Sequence, residues 1–111
     1  MIFMKLNERY FEYIKSGTKR IELRLNDEKR KSIKIGDKIR FLKLPKLDEY
    51  IDVTVEDLIK YNNFNEIINK YPIEILACKR MNKKELLKDL EEFYSKEKQE
   101  KYGILGIKFS I

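Results

Sequence analysis

The sequence predicts an α+β fold, a few helices around a small sheet or barrel, and three observations carry that prediction. Short runs alternate apolar and polar residues, as in Ile21-Glu22-Leu23-Arg24-Leu25 and Ile51-Asp52-Val53-Thr54-Val55, which is the period of a strand. Two other stretches, Tyr10–Ile14 and Leu86–Tyr94, space their apolar residues three and four apart, as a helix does. The two kinds of element do not alternate regularly, so a parallel α/β sheet is not expected. With 111 residues, no internal repeat and no linker, residues 1–111 read as a single domain with one modest core.

Taken in order, Phe3–Leu6 is a short opening strand. Asn7 follows as a helix N-cap, because its side chain can accept from free amides of the first turn. Tyr10, Phe11 and Ile14 form the apolar stripe of that helix. Gly17 closes it, since glycine takes up the left-handed conformation that other residues resist. A strand spans Arg20–Leu25. Asn26–Ser32, almost wholly polar with Lys29, Arg30 and Lys31 consecutive, reads as a loop. Gly36-Asp37 is turn chemistry between two alternating runs, Ile33/Ile35 and Ile39/Phe41. Pro45 breaks the sheet pattern, so 43–49 is a loop or an edge. Ile51–Val55 is a further strand. Asn63 or Asn65 caps a helix bearing Phe64, Ile67, Ile68 and Tyr71, which Pro72 stops. Asn82 with Glu85 resembles a capping box ahead of the stripe Leu86, Leu87, Leu90, Phe93 and Tyr94. Residues 95–101 form a charged connector. Ile104–Ile111 ends the chain as a strand, with Ile107, Phe109 and Ile111 on one face. The strands number about five to six in all.

Composition removes several chemistries. There is no histidine, so neither a Ser-His nor a Cys-His nucleophile pair can form, and histidine-bearing zinc sites are excluded. The lone Cys78 permits no internal disulfide and no cysteine-rich metal site; it reads as a small buried residue or a bystander. No acidic cluster of the kind that gathers magnesium is evident, and no cofactor is expected. The opening Met-Ile-Phe-Met-Lys-Leu is too short for a signal-peptide core or a membrane span, so a soluble, cytoplasmic protein is expected. The net charge of +6 is unevenly spread. Residues 1–46 hold 14 Lys/Arg against 6 Asp/Glu, whereas residues 47–111 hold 11 against 13. A basic half is the footprint expected of a polyanion binder, although lysine-rich solvated faces give the same count.

The densest chemistry lies in Gly17-Thr18-Lys19-Arg20-Ile21-Glu22-Leu23-Arg24. Alternation puts Arg20, Glu22 and Arg24 on one strand face, with Lys19 at its entrance. A carboxylate flanked by Lys and Arg stays ionised. It can accept from a base or a sugar hydroxyl while the cations engage phosphate or carbonyl oxygen. The plainer reading is a surface ion pair of little energetic weight. Lys29–Lys31 reads as a solvated loop or as a phosphate-contacting rim. Tyr94 extends the leucine stripe and belongs to the core, whereas Tyr102, ahead of Gly103, can reach a cleft and stack on a base. Ser95 caps whatever follows the helix, and its hydroxyl can also line the site.

These pieces together resemble a known family. Gly17-x-Lys19-x-x-Glu22-x-Arg24, then Ile35-Gly36-Asp37-x-Ile39-x-Phe41, then Tyr94-Ser95 and Tyr102-Gly103-Ile104-Leu105-Gly106-Ile107 are similar to an ASCH domain of the PUA-like superfamily. The likeness runs from Lys5 to the end of the chain. It implies a small PUA-like β-barrel with flanking helices and a cleft holding Lys19 and Glu22, with Arg24 as neighbour. It also implies a module that binds RNA or a nucleotide, with Lys19, Arg20, Glu22, Arg24, Ser95 and Tyr102 as ligand-binding candidates. The alternative it implies is a small metal-independent hydrolase, with Lys19 and Glu22 as catalytic groups. Its substrate would be RNA or a modified nucleoside of the N4-acetylcytidine type. One similar branch of amidohydrolases uses a Lys, a Thr and a Glu, and Glu22 stands at the position resembling that threonine. A third possibility is a partner-binding domain in a larger assembly.

Overall fold

Residues 1–111 are all described by a computed structural model. Polar caps set most of its helix boundaries. The Asn7 side chain accepts from the amides of Arg9 and Tyr10 at the start of α1 (Glu8–Lys15), and Gly17, at φ +85°, turns the chain out of it. The strand β1 (Ile2–Leu6) precedes α1, and β2 (Ile21–Leu25) follows it. Asn63 caps α3 (Phe64–Lys70). At α5 (Lys83–Phe93), Asn82 accepts from the Glu85 amide at 2.8 Å, and its own amide group donates to the Glu85 carboxylate at 2.8 Å.

Several local expectations are revised. The expected loop at Asn26–Ser32 contains a short helix, α2 (Glu28–Lys31), capped by Asp27; its Arg30 and Lys31 pair with Asp27 and Glu28, so this basic cluster is largely neutralised within itself. Ile33 and Ile35 form no strand. Gly36 donates to Val55 O and Asp37 O accepts from Val55 N, so the chain turns and pairing begins only at β3 (Lys38–Lys43). The strand expected at Ile51–Val55 continues as β4 (Tyr50–Tyr61). After Pro72 a one-turn helix forms, α4 (Ile73–Leu76), and the expected connector at 95–101 is α6 (Lys96–Tyr102). The one fully buried residue of α6 is a glutamine, Gln99, which no hydrophobic pattern reveals, with Tyr102 at its end packed partly buried on the second core. The last strand is β5 (Ile104–Ser110).

The five strands form one sheet in the order β1-β3-β4-β5-β2, with β1 and β3 parallel and the other neighbours antiparallel. The long β4 pairs with β3 through its first half and with β5 through its second, with a bulge between Val55 and Asp57. Bulges bend strands and increase twist, so this one curls the sheet. The result is a half-barrel whose edge strands, β1 and β2, do not pair with each other. One core fills the curl, where Phe11 and Ile14 of α1 pack on Met4, Phe41, Val53, Ile107 and Phe109. A second core lies between the far side of β2/β5 and α3, α4 and α5, built from Ile21, Leu23, Phe64, Ile67, Leu76 and Leu86. Gly106 of β5 admits α3 closely, since a Cβ there would stand 2.7 Å from the Ile67 side chain. Ile111, expected to extend the last strand on the face of Ile107 and Phe109, lies beyond β5 and is exposed.

Candidate functional site

The unpaired seam between β1 and β2 is closed by side chains, and there a pocket of about 210 Å³ opens. Strand β2 is buried on both faces. Ile21, Leu23 and Leu25 enter the second core, while Glu22 and Arg24, paired in register with Ile107 and Leu105, face the concave side of the sheet. Lys19 and Glu22 are only 3% and 6% exposed. Charges so buried must be compensated by partners, and these are.

The Lys19 ammonium donates to Ile21 O at 2.6 Å and to Leu76 O at 2.7 Å, and it lies 3.3 Å from Glu22 Oε1. Two of its three donors are spent on backbone carbonyls, and the carboxylate stands beside it as counter-charge. The Tyr10 ring lies beside it, 5.7 Å from the nitrogen. Glu22 Oε2 accepts from Arg24 Nε at 2.7 Å, and an Arg24 Nη donates to Lys5 O at 2.8 Å. Lys19 therefore ties β2 to α4, and Arg24 ties β2 across the seam to β1. Burial works to raise the Glu22 pKa, but Arg24 and Lys19 together outweigh it and hold the carboxyl below its ordinary value. Burial lowers Lys19 below the ordinary lysine value against the pull of Glu22. For Arg24, burial is again the largest influence and a lowering one, yet Glu22 and Tyr94 leave it raised.

Apolar side chains make most of the wall: Leu6 and Leu44 on the β1 side, Leu86, Leu90 and Phe93 on α5, and Tyr94 just beyond it. Asp89 enters from α5, accepting from the Tyr10 hydroxyl at 2.6 Å and from Arg9 at 3.4 Å. Burial, reinforced by Asp89, raises the Tyr10 phenol, which stays a neutral donor. Lys5, Lys19 and Arg24 against Glu22 and Asp89 leave the pocket one positive charge in excess. A largely apolar hollow with a few convergent polar groups is the common form of a small-ligand site.

Of the six residues singled out in the sequence, the pocket gathers Lys19, Glu22 and Arg24. Arg20 lies outside it. It precedes β2, is exposed, and borders a shallow hollow with Lys108 and Ser110; at roughly 3.3 Å per strand residue it stands far along the strand from Arg24. Ser95 caps α6, its hydroxyl accepting from the Lys98 amide at 3.2 Å, and does not line the pocket. Tyr102 is carried by α6 into a separate open groove of about 1060 Å³, where Lys60, Lys96 and Lys101 are matched by Glu66, Glu91 and Glu100. Tyr94 packs on Phe64 as core reasoning expects, with ring centroids 5.5 Å apart, and also borders the pocket. The sequence reading missed Tyr10, Asp89 and Phe93. Phe93 continues the apolar stripe in sequence but is 67% exposed at the rim, and an acid, Asp89, one turn from it on α5, is the available signal. Cys78 is partly buried against the second core, away from the pocket. No group of three or more potential metal-ligating side chains gathers, and no helix is long and apolar enough to cross a membrane.

A curled five-stranded half-barrel flanked by helices, with a buried ion trio at its seam, defines a small α+β domain of the PUA-like type. The chain belongs to the ASCH domain family, whose model matches residues 4–111. It is similar to the crystal structure of the hypothetical protein PH0355, at 37% identity and a TM-score of 0.85, over 99% of this chain and 98% of that one. It is also similar to the solution structure of protein PF0455 from Pyrococcus furiosus, at 35% identity and a TM-score of 0.77, over 98% and 94%. No curated protein matches the sequence.

Proposed function

We propose that this domain is a cytoplasmic RNA-binding module whose seam pocket receives one unpaired base or a nucleotide end. The observation that carries the reading is Glu22, a buried carboxylate kept ionised by Lys19 and Arg24 on the wall of a small, mostly apolar pocket. Each Glu22 oxygen is met by one cation, and a carboxylate offers about four lone-pair sites, so acceptor capacity remains for a ligand. Arg24 likewise uses two of its donors on Glu22 and Lys5 and keeps others. Phe93 and Tyr94 supply aromatic faces at the rim, and RNA is commonly read by stacking unpaired bases on such faces. The ASCH fold is compatible with this use, and β1, α1 and β2, which supply half of the pocket, come from the basic part of the chain.

Binding is favoured over hydrolysis by the state of Lys19. A lysine that acts as base or nucleophile needs a lone pair open to the substrate, and this nitrogen is 3% exposed, donates to two backbone carbonyls and lies against Glu22. The test is a titration of labelled single-stranded RNA of mixed sequence, followed by fluorescence anisotropy between about 50 and about 200 mM salt. Affinity should fall steeply with salt, and Phe93→Ala, a change at an exposed position, should weaken binding without unfolding the protein. Absence of binding, or affinity indifferent to both salt and Phe93, refutes the proposal.

A further inference from the structure

We infer that the seam pocket prefers guanine among the four bases, an inference that rests on the base-binding reading above and adds to it the identity of the base. Glu22 is engaged from its flanks, with Lys19 on Oε1 and Arg24 on Oε2. What remains is acceptor capacity on both oxygens of one carboxylate in the pocket wall. Such a carboxylate is matched by two adjacent donors on a ligand. The pairing edge of guanine carries N1–H next to N2–H, and no other standard RNA base carries two neighbouring donors on that edge.

The neighbouring group completes the match. The guanine edge continues from its two donors to the O6 acceptor, and beside Glu22 stands Arg24, whose guanidinium keeps N–H groups beyond those given to Glu22 and Lys5. An acceptor pair followed by a donor is the complement of that edge. Cytosine and adenine each present one amino donor beside ring acceptors, which leaves one Glu22 oxygen facing a lone pair. Uracil presents a single donor between two carbonyls and suffers the same mismatch. Because Glu22 is buried and charged, an acceptor set against it is repelled rather than hydrated, so discrimination exceeds that of an exposed carboxylate. The other acid of the pocket, Asp89, has Oδ2 occupied by Tyr10 and Arg9, which leaves Oδ1 for the second N2 hydrogen or a ribose hydroxyl.

The test uses uridine-tract RNA oligonucleotides that differ at one central position, carrying guanine, hypoxanthine, cytosine, adenine or uracil, titrated against the intact protein by fluorescence anisotropy. Guanine should bind tightest. Hypoxanthine, which keeps N1–H and O6 but lacks the N2 amino group, should bind about 10-fold more weakly, the loss of one hydrogen bond to a charged group. Glu22→Gln replaces one acceptor by a donor and should erase the guanine-over-hypoxanthine difference; if that variant does not fold by circular dichroism, the comparison on the natural protein decides alone. Five equal affinities, or a different base preferred, overturn the guanine assignment and leave the RNA-binding reading intact. Failure of every oligonucleotide to bind overturns both.

Discussion

Replacing Lys19 by methionine tests whether the buried trio holds the fold together. The change keeps length and apolar bulk and removes the charge together with the two carbonyl bonds and the Glu22 contact. Glu22 keeps Arg24 but loses half of its compensation in a site 6% exposed. Removing one partner of a buried ion pair costs about 3–5 kcal/mol, because a charge remains without its counter-charge and cannot be rehydrated. An exposed pair is worth under about 1 kcal/mol. A domain of this size has roughly 5–15 kcal/mol of stability in total, so the variant should fold yet melt much earlier. At about 4 °C per kcal/mol, the melting temperature should drop by about 12–20 °C. Thermal unfolding followed by circular dichroism measures this, with Lys108→Met, at an exposed position, as a control expected to change stability by less than about 0.5 kcal/mol. A fall of less than about 4 °C for Lys19→Met would place the ammonium in water and refute the claim that its three contacts organise the seam.

The same trio predicts an acid limb. Glu22 has a depressed pKa in the fold, so its stabilisation is fully present above the ordinary carboxylate value, about 4.3, and is lost as pH falls through the lower folded value; Glu22→Gln should flatten that limb in urea unfolding below about pH 4. Gln99, 3% exposed, accepts from the Phe64 amide at 3.1 Å and donates to Tyr94 O at 3.2 Å, so Gln99→Leu leaves the buried Phe64 amide and the part-buried Tyr94 carbonyl without their partner. A loss of about 2–3 kcal/mol should follow, measured by urea unfolding, with faster hydrogen exchange at the Phe64 amide. Gly106→Ala forces a Cβ to 2.7 Å from Ile67 Cδ1 with Ile21 and Ile59 close behind; denaturation should show a loss of about 1–3 kcal/mol, and no loss would mean that α3 is free to move off the sheet.

Much of the chain's organisation was written locally. Asn7, Asn63 and Asn82 announced helix starts through side chains that satisfy amides within three residues, and Gly17 announced a stop through its own backbone freedom. Strand β2 was legible from its alternation, yet alternation misled about its environment. The pattern of Ile21, Leu23 and Leu25 against Glu22 and Arg24 ordinarily means one dry and one wet face, and here both faces are buried. The polar face is dry because the sheet curls until β1 and α5 close over it, and curling is set by the β4 bulge, about thirty residues downstream. α6 stayed invisible because its one fully buried residue is Gln99, and with α6 went the true position of Tyr102.

By itself the sequence determined which groups carry charge, where helices begin and the membership of Lys19, Glu22 and Arg24 in one eight-residue stretch, since these depend on residue identity and near neighbours. Tertiary structure decided that Lys19 donates to Ile21 and Leu76 and lies against Glu22, that Arg24 reaches Lys5, and that Asp89 and Phe93 face the same pocket. The physical reason is that hydrogen-bond saturation and desolvation depend on atoms brought from elsewhere in the chain, and those distances exist only once the half-barrel has curled.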